Sequence, residues 1–334
     1  MSAWDCGLPD TALINTQSGF ICARDVRVGS QVLSEDGVPV RVAHVSSYAA
    51  TRIAEIKISG TLPLRMNPDN ALLTYCDGVY NWKQAQELYK GDYVLLDKQV
   101  KTPPMTDLTE HAPPGFVYML GWYAARGRAV TLCAIDVAGK SESIVATLLR
   151  ACKDNFDNVV YNDIAETIYF GGSVLADNFN AWFGGTTSRR IPDFIYRNAT
   201  PQIALQFLRG YLDAIGHTVA DGKSKGTIIV MPPNEAMAFQ LQSLAAQYSV
   251  FMSLCIVKRL KASIRYTMNV PASEAHVLMG GHQRTARSRR NSIAMGYHIL
   301  LPVKEVVVAP YTGRLWDIRT SSGSLLVQNI VVDG

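Results

Sequence analysis

The sequence predicts an α+β protein: an all-β domain assembled from both chain ends, with a pseudo-symmetric, helix-containing domain inserted between them. Three observations predict it. Short apolar strand patterns broken by Gly and Asp turns run from Cys6 to about Gln99. The same kind of pattern resumes from Tyr297. Between them one nine-residue pattern occurs twice, as Met119-Leu120-Gly121-Trp122-Tyr123-Ala124-Ala125-Arg126-Gly127 and as Leu208-Arg209-Gly210-Tyr211-Leu212-Asp213-Ala214-Ile215-Gly216. A unit repeated after roughly 90 residues reads as one domain with two similar halves.

The totals fit that plan. A chain of 334 residues with 48% hydrophobic content accommodates two domains, each with its own core. A net charge of +4 and a pI of 8.7 permit nucleic-acid binding without demanding it. The six cysteines include no C-x-x-C pair, so no zinc site is expected; five read as reduced, mostly buried thiols of a cytosolic protein. No signal peptide and no apolar run of membrane-spanning length is evident, and a cytoplasmic protein is expected, or a virion component if viral.

Taken in order, residues 1–100 and 298–334 form the β domain. A turn at Ser18-Gly19, a strand over Val38–Tyr48 and a turn at Lys90-Gly91-Asp92 mark its first part, and Asn81–Leu88 reads as its one helical interruption. Residues 101–114, with Pro103, Pro104, Pro113 and Pro114, read as a linker. Residues 115–280 form the inserted domain. In both copies of the repeat, Gly and Ala let two helices approach closely and the terminal Gly ends the helix. Each half adds strands and a further helix: strands near Ala129–Ala134 and Asn158–Phe170 with helices over Ser141–Lys153 and Val174–Phe183, then strands near Val219, Thr227–Met231, Val250–Lys258 and Ser263–Val270 with a helix over Glu235–Tyr248. Residues 281–297 form a basic linker holding Arg284, Arg287, Arg289 and Arg290.

The repeated stretches resemble the paired LAGLIDADG helices of double-motif homing endonucleases. The resemblance implies a two-fold αββαββα domain whose two four-stranded sheets lie on double-stranded DNA. In that family the eighth motif residue is an acid that holds divalent metal; here those places are Arg126 and Ile215, neither of which binds a hard cation. Ser188-Arg189-Arg190-Ile191-Pro192 resembles the family's basic-Ile-Pro block, so Arg189 and Arg190 are candidate DNA contacts, together with Lys258, Arg259, Lys261, Arg265 and the four linker arginines. No metal and no cofactor is expected, Mg only if nuclease activity is retained.

The chain ends resemble an intein splicing (Hint) domain. Cys6 with Asp10-Thr11 matches the first splicing block, and Asn67-Pro68-Asp69-Asn70 with Trp82, Gly91 and Asp92 the second. There the family has Thr and His where this chain has Asn67 and Asn70, and Asn carries no proton to the peptide bond that His activates. Tyr311–Ile318 and Leu325–Gly334 resemble the last blocks, but Asp333-Gly334 stands where the family has His-Asn, so the cyclising amide is missing. Asn329 is an amide five residues too early. Cys6 is the remaining nucleophile position, read as vestigial.

With five chemical positions replaced and the apolar pattern intact, the expectation is a monomeric duplex-DNA-binding protein that has lost splicing and metal-dependent cleavage. Two alternatives stand beside it. One is a non-enzymatic protein that reuses the fold inside an assembly with a protein partner. The other is a Mg-dependent endonuclease with relocated ligands, Asp213 with Asp136 or Asp221.

Overall fold

Two long strands, Pro39–Ile58 and His298–Thr320, pair antiparallel along most of their length in the computed structural model, from Ile58 against Val303 to Val42 against Thr320. The structure describes residues 7–98, 112–185, 188–196, 200–222, 224–257, 264–278 and 292–334. It is a mixed helix-and-sheet protein. Cα proximity divides it into two compact units, one of Met1–Thr102, Ser253–Cys255 and Ser288–Gly334, the other of Pro103–Met252 and Ile256–Arg287.

The first unit is a 13-stranded sheet built on that long pair, so distant segments of the chain share one hydrogen-bonded system. Gly7–Pro9 adds to it opposite Leu315–Asp317, and Tyr93–Asp97 opposite His298–Pro302. Its apolar side chains alternate inward, and Leu33, Leu95, Leu300, Leu326 and Val331 form one cluster with Leu73, Tyr75, Tyr93 and Met295 packed against it. Each such fully buried aliphatic contributes about 1.5–3 kcal/mol relative to exposure.

One element here differs from expectation. Asn81–Leu88 is not a helix: Val79–Gln84 is a strand paired with Ala71–Cys76, and only Ala85–Glu87 is a short 3-10 turn. Asp77 and Gly78 both hold positive φ, 49° and 91°, the backbone of a two-residue hairpin turn. Tyr75, Val79 and Tyr80 flank it with strand-forming side chains, and that signal overrides the helical spacing of Trp82, Ala85 and Leu88.

The second unit is organised on the two repeated helices, Pro114–Arg126 and Pro201–Ile215, each with Pro in its first turn. A side-chain carbon at Gly121 would collide with the Phe207 carbonyl and lie 2.8 Å from the Tyr211 nitrogen; at Gly210 it would collide with the Tyr118 carbonyl. The helices therefore touch backbone to backbone, as the small residues predict. The terminal glycines close the two helices, as expected. Gly127 and Gly216 end their helices in extended backbone, φ −80° and −62°, and not in the left-handed region. Space is what excludes a side chain: a Cβ would strike Tyr123 at the one and the Leu212 carbonyl at the other.

Two four-stranded sheets accompany the helices. The first is ordered Gly127–Ala129, Cys133–Asp136, Thr167–Phe170, Val160–Asn162; the second His217–Thr218, Ile228–Val230, Arg265–Val270, Ser253–Val257. Helices Glu142–Lys153, Ser173–Phe183 and Glu235–Ala246 match their expected spans to within two residues. A further helix, Ala272–Leu278, lies outside the elements expected from sequence. Tyr123, Phe156, Phe170, Phe179 and Phe183 make an edge-to-face and stacked aromatic core beneath the first sheet. Of the described cysteines only Cys133 and Cys152 are buried, with burial pushing both thiols up to about 12; Cys22 is half-buried, and Cys76 and Cys255 are exposed, which corrects the expectation of mostly buried thiols.

Candidate nucleic-acid interface

The ends of the two close-packed helices gather most of the charged side chains of interest. Arg126 closes the first helix. Its Nη1 donates to the Ala138 carbonyl at 3.0 Å and lies 3.9 Å from Asp136, whose other oxygen accepts the Ala138 N–H. Ile215, at the equivalent place of the second helix, is half-buried and carries no polar atom. Lys140, in the loop after the first hairpin, is half-buried with its ammonium 5.8 Å from the Trp122 ring centre. Burial and the neighbouring Arg126 hold its pKa down, and Asp213 partly offsets them. Lys140 is therefore within electrostatic reach of both helices' final turns.

Asp213 sits two residues before Ile215, on a different face of the same helix. Its carboxylate accepts the Tyr118 hydroxyl at 2.9 Å, a bond that runs from one helix to the other. Burial raises its pKa, against the lowering effects of Tyr118, Arg209 and Lys140. Asp136 and Asp221 are exposed, and among the described residues no three His, Cys, Asp or Glu side chains come together as a metal-binding group.

Arg189 and Arg190 both turn inward onto carbonyls. Arg189 donates to the Gly127 carbonyl at 2.6 Å, lies 5.7 Å from the Tyr123 ring, and is desolvated enough to lower its pKa. Its own carbonyl accepts from Asn234, whose side chain also caps the helix from Glu235. Arg190 donates to the Ala181 and Trp182 carbonyls, filling the open end of helix Ser173–Phe183. Those two guanidinium groups thus hold helix termini.

The outer sheet faces follow from register. Arg128, Ala134, Tyr169 and Val160 form one cross-strand row, opposite the side on which Ile135 and Ile168 are buried. In the second sheet His217, Ile229 and Asn269 share a row, with Thr267 and the exposed Arg265 on the same side. Arg128, Asp136 and Arg265 are the only charged residues on the described strands of the two sheets. Apolar side chains stand out beside them, Ile164 at 95% and Val130 at 80% exposure. Lys258, Arg259, Lys261, Arg284, Arg287, Arg289 and Arg290 lie outside the described residues, as does Cys6.

In the first unit the positions that resemble splicing blocks form a polar knot. The buried Asn70 accepts the Gly7 N–H at 2.7 Å, and Asn67 accepts from Asp69, donates to the Tyr48 hydroxyl and hydrogen-bonds the Gly7 carbonyl through its backbone. Both asparagines thus grip the residue after Cys6. Gly334 accepts from the Thr320 hydroxyl, and a Cβ there would collide with Leu325 and come within 3.2 Å of the Ile318 carbonyl. Asn329 is locked in a reciprocal, fully buried pair with Asn15, at 2.6 and 3.0 Å. Sequence reasoning missed Tyr118, Trp122 and Lys140. Tyr118 sits three residues before Gly121 on the contact face, a spacing that could have flagged it; Lys140 carries no sequence signal.

No family model and no curated protein matches the sequence. Solved structures do. A bacterial intein-like domain from Clostridium thermocellum is similar at 17% identity and TM-score 0.24, over 27% of this chain and 65% of that one. I-DmoI in complex with DNA and Mn is similar at 13% identity and TM-score 0.37, over 51% of this chain and 98% of that one. Full-length DUF199/WhiA from Thermatoga maritima is similar at 12% identity and TM-score 0.35, over 56% of this chain and 62% of that one. The chain thus spans just under two thirds of the intein-like domain it matches, and its similarities fall among intein-like domains and LAGLIDADG proteins.

Proposed function

We propose that this chain is a duplex-DNA-binding protein built like an intein with an embedded double-motif homing endonuclease, and that it neither splices nor cleaves through metal. One observation carries the reading: the paired helices keep their backbone-to-backbone glycine contact while their ends carry Arg126 and Ile215 in place of two carboxylates. A hard cation takes oxygen ligands, and a guanidinium beside an isoleucine repels it or offers nothing. The residues present do not suit Mg. On this reading residues 1–100 and 298–334 are the splicing-like part and residues 115–280 the DNA-binding part. Both halves of the latter come from one chain, so the protein acts as a monomer.

The splicing-like part lacks its chemistry for separate reasons. Asn70 accepts a backbone N–H through its amide oxygen and has no titrating proton to lend. Gly334 has no carboxamide to cyclise, whatever residue follows it.

Binding is tested by anisotropy with the full chain on mixed-sequence duplex, in EDTA, across a salt series. Affinity falling steeply with salt is expected. No retention at low salt overturns the reading and directs attention to protein partners of the exposed apolar positions.

A further inference from the structure

We propose that Arg126 and Lys140 form a metal-free anion site that grips one phosphodiester of bound DNA. The inference rests on the DNA-binding reading and names the group that would replace metal at the helix ends.

Arg126 holds the Ala138 carbonyl, two residues before Lys140, and the Lys140 ammonium lies over Trp122, one turn before Arg126 on the same helix, so the two cations share one corner of the fold and oppose one another. Such a pair is unfavourable unless something negative lies between or beside it. Asp136 and Asp213 offset part of that charge, but neither makes a hydrogen bond to Arg126 or Lys140. Asp213 accepts Tyr118 and also faces Arg209. Asp136 spends one oxygen on the Ala138 N–H and stands 3.9 Å from Arg126, beyond hydrogen-bond length. Lys140 meets the aromatic ring of Trp122, but its ammonium makes no hydrogen bond to any described residue.

The helix ends themselves carry partial negative charge and would repel an anion. Arg189 answers that objection at the first helix, because it donates directly to the Gly127 carbonyl. Arg126 bonds one further carbonyl through Nη1 alone, which leaves the other edge of its fork. A planar fork beside a half-buried ammonium matches the two non-bridging oxygens of one phosphate.

The test uses the full chain and its Arg126→Ala/Lys140→Ala double variant. Duplex binding is measured in EDTA across a salt series, and thermal midpoints are measured with and without inorganic pyrophosphate. The expected result is weaker binding by the variant with a log K against log salt slope shallower by about 0.9, the release expected for one phosphate. Pyrophosphate is expected to raise the midpoint of the wild type and not of the variant. An Arg126→Lys/Lys140→Arg variant that recovers the slope separates lost charge from damaged packing. Equal slopes in wild type and double variant overturn the anion site while leaving DNA binding intact. If the wild type binds no duplex, the DNA reading fails. The pyrophosphate shift then decides the anion site by itself, and no shift overturns it.

Discussion

Replacing Gly210 by Ala tests the helix contact on which the second unit is organised. A methyl there would collide with the Tyr118 carbonyl oxygen and lie 2.9 Å from its carbon and 3.2 Å from the Tyr118 Cα. Ordinary carbon contacts are about 3.5–4.0 Å, so the helices must separate by several tenths of an ångström or more, against backbone that cannot rotate away. Overpacking of this kind costs about 1–3 kcal/mol, while Ala gains up to about 1 kcal/mol over Gly in a helix interior. The expected net loss is about 1–2 kcal/mol, a fall in the thermal midpoint of roughly 2–8 °C for a unit of this size. Gly115→Ala in the first helix is the control. Its added carbon would sit 3.5 Å from the Ala151 Cβ, ordinary contact, and stability should hold or rise slightly. Circular dichroism during heating and urea titration reads both. If Gly210→Ala is as stable as Gly115→Ala, the helices do not meet through their backbones and the packing argument is wrong.

Other consequences are measurable. Asn70→Ala leaves the Gly7 N–H buried without its acceptor, and urea unfolding should show a loss of about 1–3 kcal/mol. Asp213 has a raised carboxyl pKa, so the folded state holds its proton to higher pH than the unfolded chain, and this group's contribution to stability falls as pH rises through the acid range above 3.8. Tyr118→Phe removes a bond that lowers that pKa, so the fall should extend to higher pH, and Asp213→Asn should abolish it; pH-dependent unfolding distinguishes these. Gly334→Asn, with a reporter domain fused after it, should destabilise the first unit and release no reporter by mass spectrometry, because the side chain enters space held by Leu325.

How much was legible in the sequence depended on whether a residue's role was local. The glycine spacing of the two motifs encoded the helix contact, because only a missing side chain permits Gly121 and Gly210 to meet carbonyls. The substituted positions Arg126 and Ile215 were equally plain. What escaped was set by partners distant in the chain. Arg189 and Arg190 read as DNA contacts from their block, but each has a carbonyl to serve, at Gly127 and at Ala181 and Trp182. Asn81–Leu88 reads as a helix in isolation, but the Asp77-Gly78 turn pairs Val79–Gln84 with Ala71–Cys76 and makes most of it a strand. A sheet's outer face depends on register, so the sparse charge on both sheets could not be seen before Arg128 and Arg265 were aligned with their neighbours.

The most direct test of the central claim is to incubate the full chain with sheared genomic DNA, with and without Mg, recover bound fragments and sequence both their interiors and their ends. The account predicts enrichment of bound duplex with the same fragment ends in both conditions. New ends that appear only with Mg would contradict it, and would mean that carboxylates other than the two missing from the motif helices assemble a working metal site.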